Sequence, residues 1–315
     1  MNTAFKGFLK KISKNLTRRS IWKFIKYIKK TKKLKIQYTG FKASELIYEL
    51  LKTDSPCMIA RFGGTELSCV LEYLHLKKKL HNKIEFSENV KYDMKNLSGF
   101  FPTDEASLIK FSELMISCIP NIDILGSWIP REIYFKKMIK AKTISLLDLE
   151  PYNHDNPWSR ILHGKRVLVI HPFSKTIKQQ YLKRDKLFVN KDVLPEFELE
   201  TITAVQSIAG NDCGFKDWFE ALESMKAEIT IKKYDIAIIG CGAYGFPLAS
   251  FVKDQGKKAV HLGGATQLLF GIKGRRWEIE YDKNYLSKFC YEHWVRPSEE
   301  ETPINNKIVE NGCYW

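Results

Sequence analysis

Several signals that assign a chain to a common class are missing from these 315 residues. The seven cysteines form no C-x-x-C pair and have no histidine at zinc-ligand spacing, so neither a structural zinc nor a disulfide framework is indicated. No apolar run approaches the roughly 18 residues of a membrane-spanning helix, and there is no secretory cleavage pattern. We therefore expect a cytoplasmic protein with reduced thiols and without zinc or haem.

Acidic residues are missing from residues 1–38, which hold eleven lysines and two arginines and so carry most of the net charge of +15. The rest of the chain is nearly neutral, which argues against a nucleic-acid groove across the fold. Apolar residues recur between the lysines at steps of three and four, as in a basic amphipathic helix. We predict that residues 1–38 form a helical arm on an anionic membrane surface, at the inner face of the cell membrane. Packing on the protein's own body and binding of a partner or nucleic acid are the alternatives.

From Phe41 onward, short apolar runs alternate with stretches of helical spacing. The predicted strands are 56–60, 122–126, 143–149, 166–170, 198–203, 235–239 and 258–262, and the predicted helices include 43–51, 65–76, 105–119, 131–140, 176–184 and 215–226. This alternation predicts a Rossmann-like α/β domain over residues 39–297, with a mostly parallel sheet and helices on both faces. The acidic stretch that begins at Ser298 predicts a linker and C-terminal tail over residues 298–315.

Two glycine-rich loops follow the last two predicted strands, and each opens onto a predicted helix. Free backbone N–H groups at such a position bind anions, and two neighbouring loops suit a diphosphate. A purely structural role, in which the glycines only allow tight turns and close packing, is the alternative. The candidate diphosphate-binding residues in these loops are Gly240, Gly242, Tyr244, Gly245, Gly263, Gly264, Thr266 and Gln267.

The first of these loops also spells G-x-G-x-x-G between a strand and a helix, which is the dinucleotide-binding fingerprint. The acidic residue that would hold the ribose at the end of the second strand is absent, because His261 and Leu262 stand there. Only about 44 residues follow this unit, fewer than the further βα units of a full dinucleotide fold require. We therefore expect no NAD, and an NAD(P)-dependent oxidoreductase is the alternative enzyme.

The segment Arg61-Phe62-Gly63-Gly64-Thr65-Glu66 follows the first predicted strand. Gly63 and Gly64 permit a tight turn, and Arg61 can pair with a phosphate. Glu66 either faces the crevice at the strand ends or is only an acid in the first turn of a helix.

With the two residues before it, this segment resembles the Arg-Phe-Gly-Asp-Gly-Glu signature of the GT-D-type glycosyltransferases, bacterial enzymes that use nucleotide-sugar donors. Residues 239–245 and the turn at Gly263 and Gly264 are similar to that family's closing βαβ segment. The resemblance implies transfer of a sugar from a nucleoside diphosphate to a cell-surface polysaccharide or lipid-linked acceptor. It also implies a role for Glu66 in catalysis and as a ligand of Mg²⁺ or Mn²⁺. The family's Asp-x-Glu pair is Gly64-Thr65-Glu66 in this chain, so only the glutamate carries over and the use of a metal stays open.

Three further segments follow predicted strands and so belong to the same edge of the sheet. Trp128 offers an aromatic face for a sugar or base, with Arg131 beside it, although Trp128 can equally belong to the core. Asp148 and Glu150 lie in the densest group of acids, and either can act as a general base for an acceptor hydroxyl or belong to a solvated loop. Lys175 lies at a predicted helix start that suits a phosphate. A non-catalytic sensor of nucleotides or sugar phosphates is a further alternative for the protein, and it would need the glycine loops but no general base.

Overall fold

The computed structural model describes residues 33–78, 84–280 and 289–315. Most of the predicted amphipathic arm, residues 1–32, lies outside the described residues. Among the described residues, no helix combines the length and the apolar composition needed to cross a bilayer. All seven cysteines are free thiols.

Seven strands form one sheet, and every pair between them is parallel. Their order is β3-β2-β1-β7-β6-β4-β5. This confirms the predicted Rossmann-like α/β fold. The strands are β1 (Cys57–Ala60), β2 (Ile124–Ser127), β3 (Lys142–Ser145), β4 (Arg166–His171), β5 (Glu198–Thr203), β6 (Ile236–Ile239) and β7 (Lys258–His261).

Helices connect the strands and cover both faces of the sheet. They are α1 (Phe41–Lys52), α2 (Gly64–Lys78), α3 (Glu88–Ser98), α4 (Glu105–Cys118), α5 (Leu146–Leu149), α6 (Ser174–Tyr181), α7 (Trp218–Ile231), α8 (Gly245–Asp254), α9 (Ala265–Leu269) and α10 (Arg275–Glu280). Short 3-10 helices lie at Ile119–Asn121, Pro130–Phe135, Pro151–Asn153, Trp158–Leu162, Arg184–Lys186, Lys191–Val193, Ile208–Gly210, Gly242–Tyr244, Tyr291–His293, Glu299–Glu301 and Asn306–Ile308.

Successive residues of the central strands feed two separate hydrophobic cores, one on each face of the sheet. In β1, Met58 and Ala60 pack with residues of α2, α4, α7 and α8, whereas Cys57 and Ile59 pack with residues of α1, α6 and α9. A strand that is covered on both faces is apolar throughout, which explains the continuous run in β6. Each fully buried large apolar side chain contributes about 1.5 to 3 kcal/mol to the stability of the folded state. The two cores therefore hold the strand ends in fixed positions.

Local capping agrees with the sequence at α4, where Asp104 Oδ1 accepts a hydrogen bond from Ser107 N at 2.9 Å. Two other predictions differ from the structure. The helix predicted over residues 131–140 is only the short turn Pro130–Phe135, because the Glu132 carboxylate turns back to the backbone N–H groups of Trp128 and Ile129. The strand predicted over residues 143–149 ends at Ser145 and continues as α5, and helix α3 was not predicted at all.

The end of the predicted arm belongs to the body. Gln37 N donates to Thr143 O at 2.9 Å, and Tyr38 forms a parallel bridge with Ile144. These contacts cover the edge strand β3, which would otherwise present unpaired backbone groups.

The C-terminal segment, residues 298–315, folds back onto the body, which differs from the predicted linker and tail. Gln267 Nε2 donates to Tyr314 O at 3.0 Å, and Trp315 Nε1 donates to Glu301 O at 3.2 Å. This segment therefore lies at the carboxyl edge of the sheet, where ligands of such folds bind.

Candidate functional site

Strand β1 lies between β2 and β7, so the residues that follow these three strands meet at one edge. Ile59 pairs with Ile124 of β2 and with Val260 of β7, and parallel strands end on the same side. Helix α5, which follows β3, packs beside them. We call the residues gathered here the Arg61 crevice: Arg61, Gly63, Gly64, Glu66, Trp128, Glu150, Gly263 and Gly264.

Arg61 and Trp128 stack on each other in this crevice. The Arg61 guanidinium carbon lies 4.8 Å from the Trp128 ring centroid. Trp128 Nε1 donates to Phe62 O at 2.9 Å, and Arg61 Nε and Nη2 donate to the same oxygen at 3.3 and 3.2 Å. The indole is thereby fixed, yet Trp128 remains 46% exposed and offers a flat aromatic face to a ligand.

Arg61 forms no ion pair with the described residues, although the charges of Glu66 and Glu150 favour its protonated form. Burial lowers the pKa of its guanidinium, because desolvation penalises the cation. A desolvated guanidinium without an ion-pair partner favours an incoming anion such as a phosphate.

Glu66 lies against the backbone of Gly63 at the start of α2. A Cβ at Gly63 would lie only 1.8 Å from Glu66 Oε2, so a larger residue at this position would displace the Glu66 carboxylate. Glu66 is 8% exposed, and its carboxylate forms no hydrogen bond to any residue that the structure describes. Both predicted roles, a first-turn acid and a carboxylate that faces the crevice, are compatible with this position.

Glu150 is the second buried carboxylate of the crevice. Burial raises its pKa to about 7, and this effect outweighs the opposing contributions of Tyr152, Arg61 and Asn153. A carboxyl group with a pKa near 7 exchanges protons readily at neutral pH. Asp148, the other candidate base, instead accepts a hydrogen bond from Gly40 N at 3.0 Å and so holds the start of α1.

The glycine pair after β7 lines the opposite wall of the crevice. Gly263 has a φ of +62°, which favours glycine, and its missing Cβ leaves room for Arg61 Nη1 at 3.3 Å from the Cβ position. A Cβ at Gly264 would lie 2.9 Å from Tyr314 Cε1. Both glycines are half-buried, and because Tyr314 covers Gly264, the backbone of Gly263 is the part that a ligand in the crevice can approach.

The fingerprint loop after β6 has a different environment from the one predicted. A Cβ at Gly240 would lie 2.4 Å from Thr266 Oγ1, and one at Gly245 would lie 2.4 Å from His261 Nε2. Tyr244 is buried, stacks on Trp218 at a centroid distance of 4.8 Å, and its hydroxyl lies 3.1 Å from Ser207 Oγ. These contacts support the alternative in which Gly240 and Gly245 allow close packing and do not bind a diphosphate. Gly242 alone is exposed in this loop, with a φ of +53°.

Two residues of the second loop are also structural in their contacts. Gln267 is buried, and its Nε2 donates to the backbone oxygens of Ile272, Lys273 and Tyr314. Thr266 is fully buried beneath Gly240. The structure therefore places neither side chain where a diphosphate could reach it.

His261 stands at the end of β7, where a dinucleotide-binding fold would carry an acid. It is buried, and burial lowers its pKa to about 3, so the ring is neutral at physiological pH. A neutral, buried imidazole cannot replace the carboxylate that holds a ribose hydroxyl in that fold.

The helix start at Lys175 is occupied by the chain's own carboxylate. Glu301 Oε1 accepts hydrogen bonds from Lys175 N at 2.8 Å and Thr176 N at 3.3 Å, and the Lys175 side chain pairs with Glu300. A cavity of 370 Å³ opens beside it at the ends of β4 and β5, and both glutamates line it. The position predicted to hold a phosphate therefore already holds an anion. A second groove, of 390 Å³, lies on the outer surface between α4 and α7 and contains none of the predicted site residues.

Arg131 is exposed on the turn after Trp128 and forms no hydrogen bond or ion pair with the residues described. Its neighbour Glu132, which the sequence analysis did not single out, is buried and fixes the turn. The Glu132 carboxylate accepts hydrogen bonds from Ser127 Oγ and from the backbone N–H groups of Trp128 and Ile129. Burial raises the pKa of Glu132.

Glu66 is the residue that the resemblance implies as a ligand of Mg²⁺ or Mn²⁺. Within residues 33–78, 84–280 and 289–315, no three His, Cys, Asp or Glu side chains are grouped as metal ligands. Glu66 and Glu150 instead share the cation Arg61 as a neighbouring charge. This donor set does not fit an ion held by several protein carboxylates.

Two residues near the crevice were missed because they come from distant parts of the chain. Arg276, in α10, lies 4.8 Å from the Tyr314 ring centroid, and Tyr314 covers Gly264. Nothing in the local sequence around Arg276 or Tyr314 resembles a known motif.

No family model, curated protein or solved structure matches this chain. The basis for proposing a function is therefore the geometry of the crevice and the resemblance at residues 59–66.

Proposed function

We propose that the protein is a glycosyltransferase that moves a sugar from a nucleoside diphosphate donor to a hydroxyl group of a cell-surface polysaccharide or lipid-linked acceptor. The observation that carries the proposal is the Arg61–Trp128 stack beside a buried carboxylate with a pKa near 7. A cation, an aromatic face and a base are the three groups that this reaction needs at one place.

The cation and the aromatic face bind the donor. Arg61 has no ion-pair partner among the described residues and can pair with a donor phosphate, while the glycine backbones of the crevice allow the phosphate to approach. The exposed face of Trp128 can pack on the apolar face of the sugar ring. Glu66, which borders the same space, is the carboxylate that the family resemblance links to the donor.

Glu150 supplies the base. In its ionised form it accepts the proton of the acceptor hydroxyl while that oxygen attacks the anomeric carbon, and the bond from this carbon to the diphosphate oxygen breaks with its electron pair. Because the ionised form is required and the pKa is about 7, we expect the transfer rate to rise with pH up to about 7 and then to level off.

The composition of residues 1–38 supports a place for this reaction. A basic amphipathic segment binds anionic lipids, which would hold the enzyme at the inner face of the cell membrane beside a lipid-linked acceptor.

A donor-binding panel tests the proposal. The full-length protein is titrated with UDP-sugars, GDP-sugars, NAD and NADP, and the shift in melting temperature is recorded for each. We expect one class of nucleotide sugar to stabilise the fold by mass action, and the two nicotinamide nucleotides to have no effect. Stabilisation by NAD or NADP alone would favour the oxidoreductase instead.

Matched variants then separate the contribution of Trp128 to donor binding from the contribution of Glu150 to transfer. Trp128→Ala should weaken binding of the stabilising donor about tenfold or more, since base or sugar stacking typically contributes 1 to 3 kcal/mol. Tyr92→Ala, which removes an exposed aromatic on α3, should leave binding unchanged. Glu150→Gln should bind the donor normally but lower transfer by about 10² to 10⁴-fold, as expected for loss of a general base. Normal transfer by this variant would contradict the assignment, and donor binding without any transfer by the wild type would favour a sensor.

A further inference from the structure

The glycine pair Gly263-Gly264 has a cation on each side. Arg61 Nη1 lies 3.3 Å from the Cβ position of Gly263. On the other side, Tyr314 lies against Gly264, and the Arg276 guanidinium stacks on the Tyr314 ring at 4.8 Å from its centroid. The two arginines are close enough to affect each other's charge.

Among the described residues, the hydrogen bonds of the Arg276 side chain go to the C-terminal segment. Its Nη2 donates to Glu310 Oε2 at 2.7 Å and to Cys313 Sγ at 3.3 Å, and its Nη1 approaches Tyr314 Oη at 3.4 Å. A guanidinium has five N–H donors, so these contacts fix its plane without using all of them. The side chain is 27% exposed, which leaves it accessible to a ligand.

From this arrangement we infer that Arg276 is a second donor-binding residue, and that Arg61 and Arg276 hold the donor diphosphate between them over Gly263-Gly264. The inference rests on the proposed function. Arg276 is preferred to Arg131 and Lys175 by its position, since Arg131 lies exposed on the turn after Trp128 and the helix start at Lys175 already holds the Glu301 carboxylate.

The charge balance of the reaction gives this pair its role. When the bond between the anomeric carbon and the diphosphate oxygen breaks, that oxygen takes the electron pair and the negative charge of the leaving group increases. Preorganised cations in a water-poor crevice stabilise such charge. The two guanidinium groups supply such cations on either side of the leaving diphosphate.

The test measures binding of UDP, GDP and inorganic pyrophosphate to the full-length protein by calorimetry, in EDTA and in Mg²⁺. We expect the wild type to bind pyrophosphate and one of the two nucleotides, with affinities in EDTA and Mg²⁺ that agree within about twofold. Arg61→Gln and Arg276→Gln should each weaken binding by about tenfold or more, the effect of losing a charge-assisted contact of about 1.4 kcal/mol.

Two control variants separate binding from anchoring of the C-terminal segment. Arg275→Gln removes the neighbouring exposed arginine, whose Nη1 donates to Asn311 O, and should change binding by less than about twofold. Glu310→Gln removes the opposing charge but keeps an amide oxygen that can accept the hydrogen bond from Arg276. The plane of the guanidinium is then kept and its charge is more available, so binding should stay equal or become tighter. Melting curves of all variants check that the fold is kept.

Each outcome bears on the inference. Equal affinities for Arg276→Gln and Arg275→Gln would overturn it, and so would a loss in Glu310→Gln as large as that in Arg276→Gln, since Arg276 would then only anchor the segment. A tenfold or greater loss of wild-type binding in EDTA would assign the charge to a metal. In these three cases the proposed function stands if Trp128→Ala still weakens donor binding. A wild type that binds none of the three probes would overturn both.

Discussion

The glycine loop after β6 and the Arg61 crevice lie at the same end of one sheet, but they differ in what fills the space beside each glycine. Beside Gly240 the neighbours are Thr266 Oγ1 and the backbone oxygen of Gly263, within 2.5 Å of a would-be Cβ. Beside Gly64 the nearest atom is Trp128 Cη2 at 3.6 Å. Glycine is required for packing at Gly240, whereas Gly64 leaves room under an exposed ring.

Charge distinguishes the two regions as well. The β6 loop packs against buried aromatic rings and a neutral histidine. The crevice keeps a guanidinium without an ion-pair partner among the described residues and a carboxyl group whose pKa is raised by burial. Groups that cost stability persist where function requires them, so this contrast supports placing the site in the crevice.

The largest expected effect is that of Gly240→Ala. The new methyl group would meet a backbone oxygen that cannot move aside, so we expect a loss of about 3 kcal/mol or more in the free energy of unfolding. Urea titration measures it. Gly64→Ala is the matched control and should keep wild-type stability, because its methyl group enters ordinary contact distance of Trp128 and its φ is not positive. Equal stability of the two variants would remove the packing distinction between the regions.

Glu150→Gln should have the next largest effect, and it should be stabilising. The folded-state pKa of Glu150 is raised from 4.5 to about 7, so the native protein holds this proton more tightly than the unfolded chain does. The stability contributed by this group is therefore complete below about pH 4.5 and is lost as the pH rises to about 7. Above that pH, the variant should gain up to about 3 kcal/mol relative to the wild type.

Melting curves at about pH 5 and pH 8 show whether this gain grows with pH, as linkage requires. Glu49→Gln is the control. Glu49 is an exposed carboxylate of α1 whose ion pair, among the described residues, is with Lys52. The difference in melting temperature between this variant and the wild type should not change with pH. A gain that is equal at both pH values would mean that Glu150 ionises normally in the folded protein, and would weaken its assignment as the base.

The α/β class and the positions of the seven strands could be predicted from the sequence because that information is local. Short β-branched runs between helical stretches indicate buried parallel strands, and the order of elements from β1 to β7 follows from them. The segment from Arg61 to Glu66 and the exposed Trp128 also lie where the strand-end rule predicts. These positions depend only on which residue follows which strand.

The contacts that separate the two glycine loops are not local. Gly240 and Gly264 both lie in a glycine-rich loop between a strand and a helix, so the sequence does not distinguish them. Their environments differ because Thr266 lies against Gly240 and Tyr314 lies against Gly264. Arg276 could not be recognised as a neighbour of Arg61 without the fold, because 214 residues separate them in the chain. A glycine pattern therefore predicts the shape of a turn but not what lies beside it.

The start of α6 offers a third region for the comparison, and here the smallest effect is expected. Its backbone N–H groups, which the sequence assigned to a phosphate, are used by the buried Glu301 carboxylate, which also binds the hydroxyls of Thr176 and Ser298. Glu301→Ala should lower the free energy of unfolding by about 2 kcal/mol, since it leaves several buried donors without an acceptor. It should also make residues 298–315 more susceptible to proteolysis.

Glu300→Ala is the matched control. Glu300 is exposed and, among the described residues, its ion pair is with the exposed Lys175. Its loss should therefore leave the melting temperature unchanged within error. The same pair of variants bears on Arg276, which is held by Glu310, Cys313 and Tyr314 of the same segment. If Glu301→Ala frees the segment, pyrophosphate binding should weaken as well, because Arg276 loses the contacts that fix its plane. Release of the segment with unchanged pyrophosphate affinity would show that the anion site needs Arg61 alone.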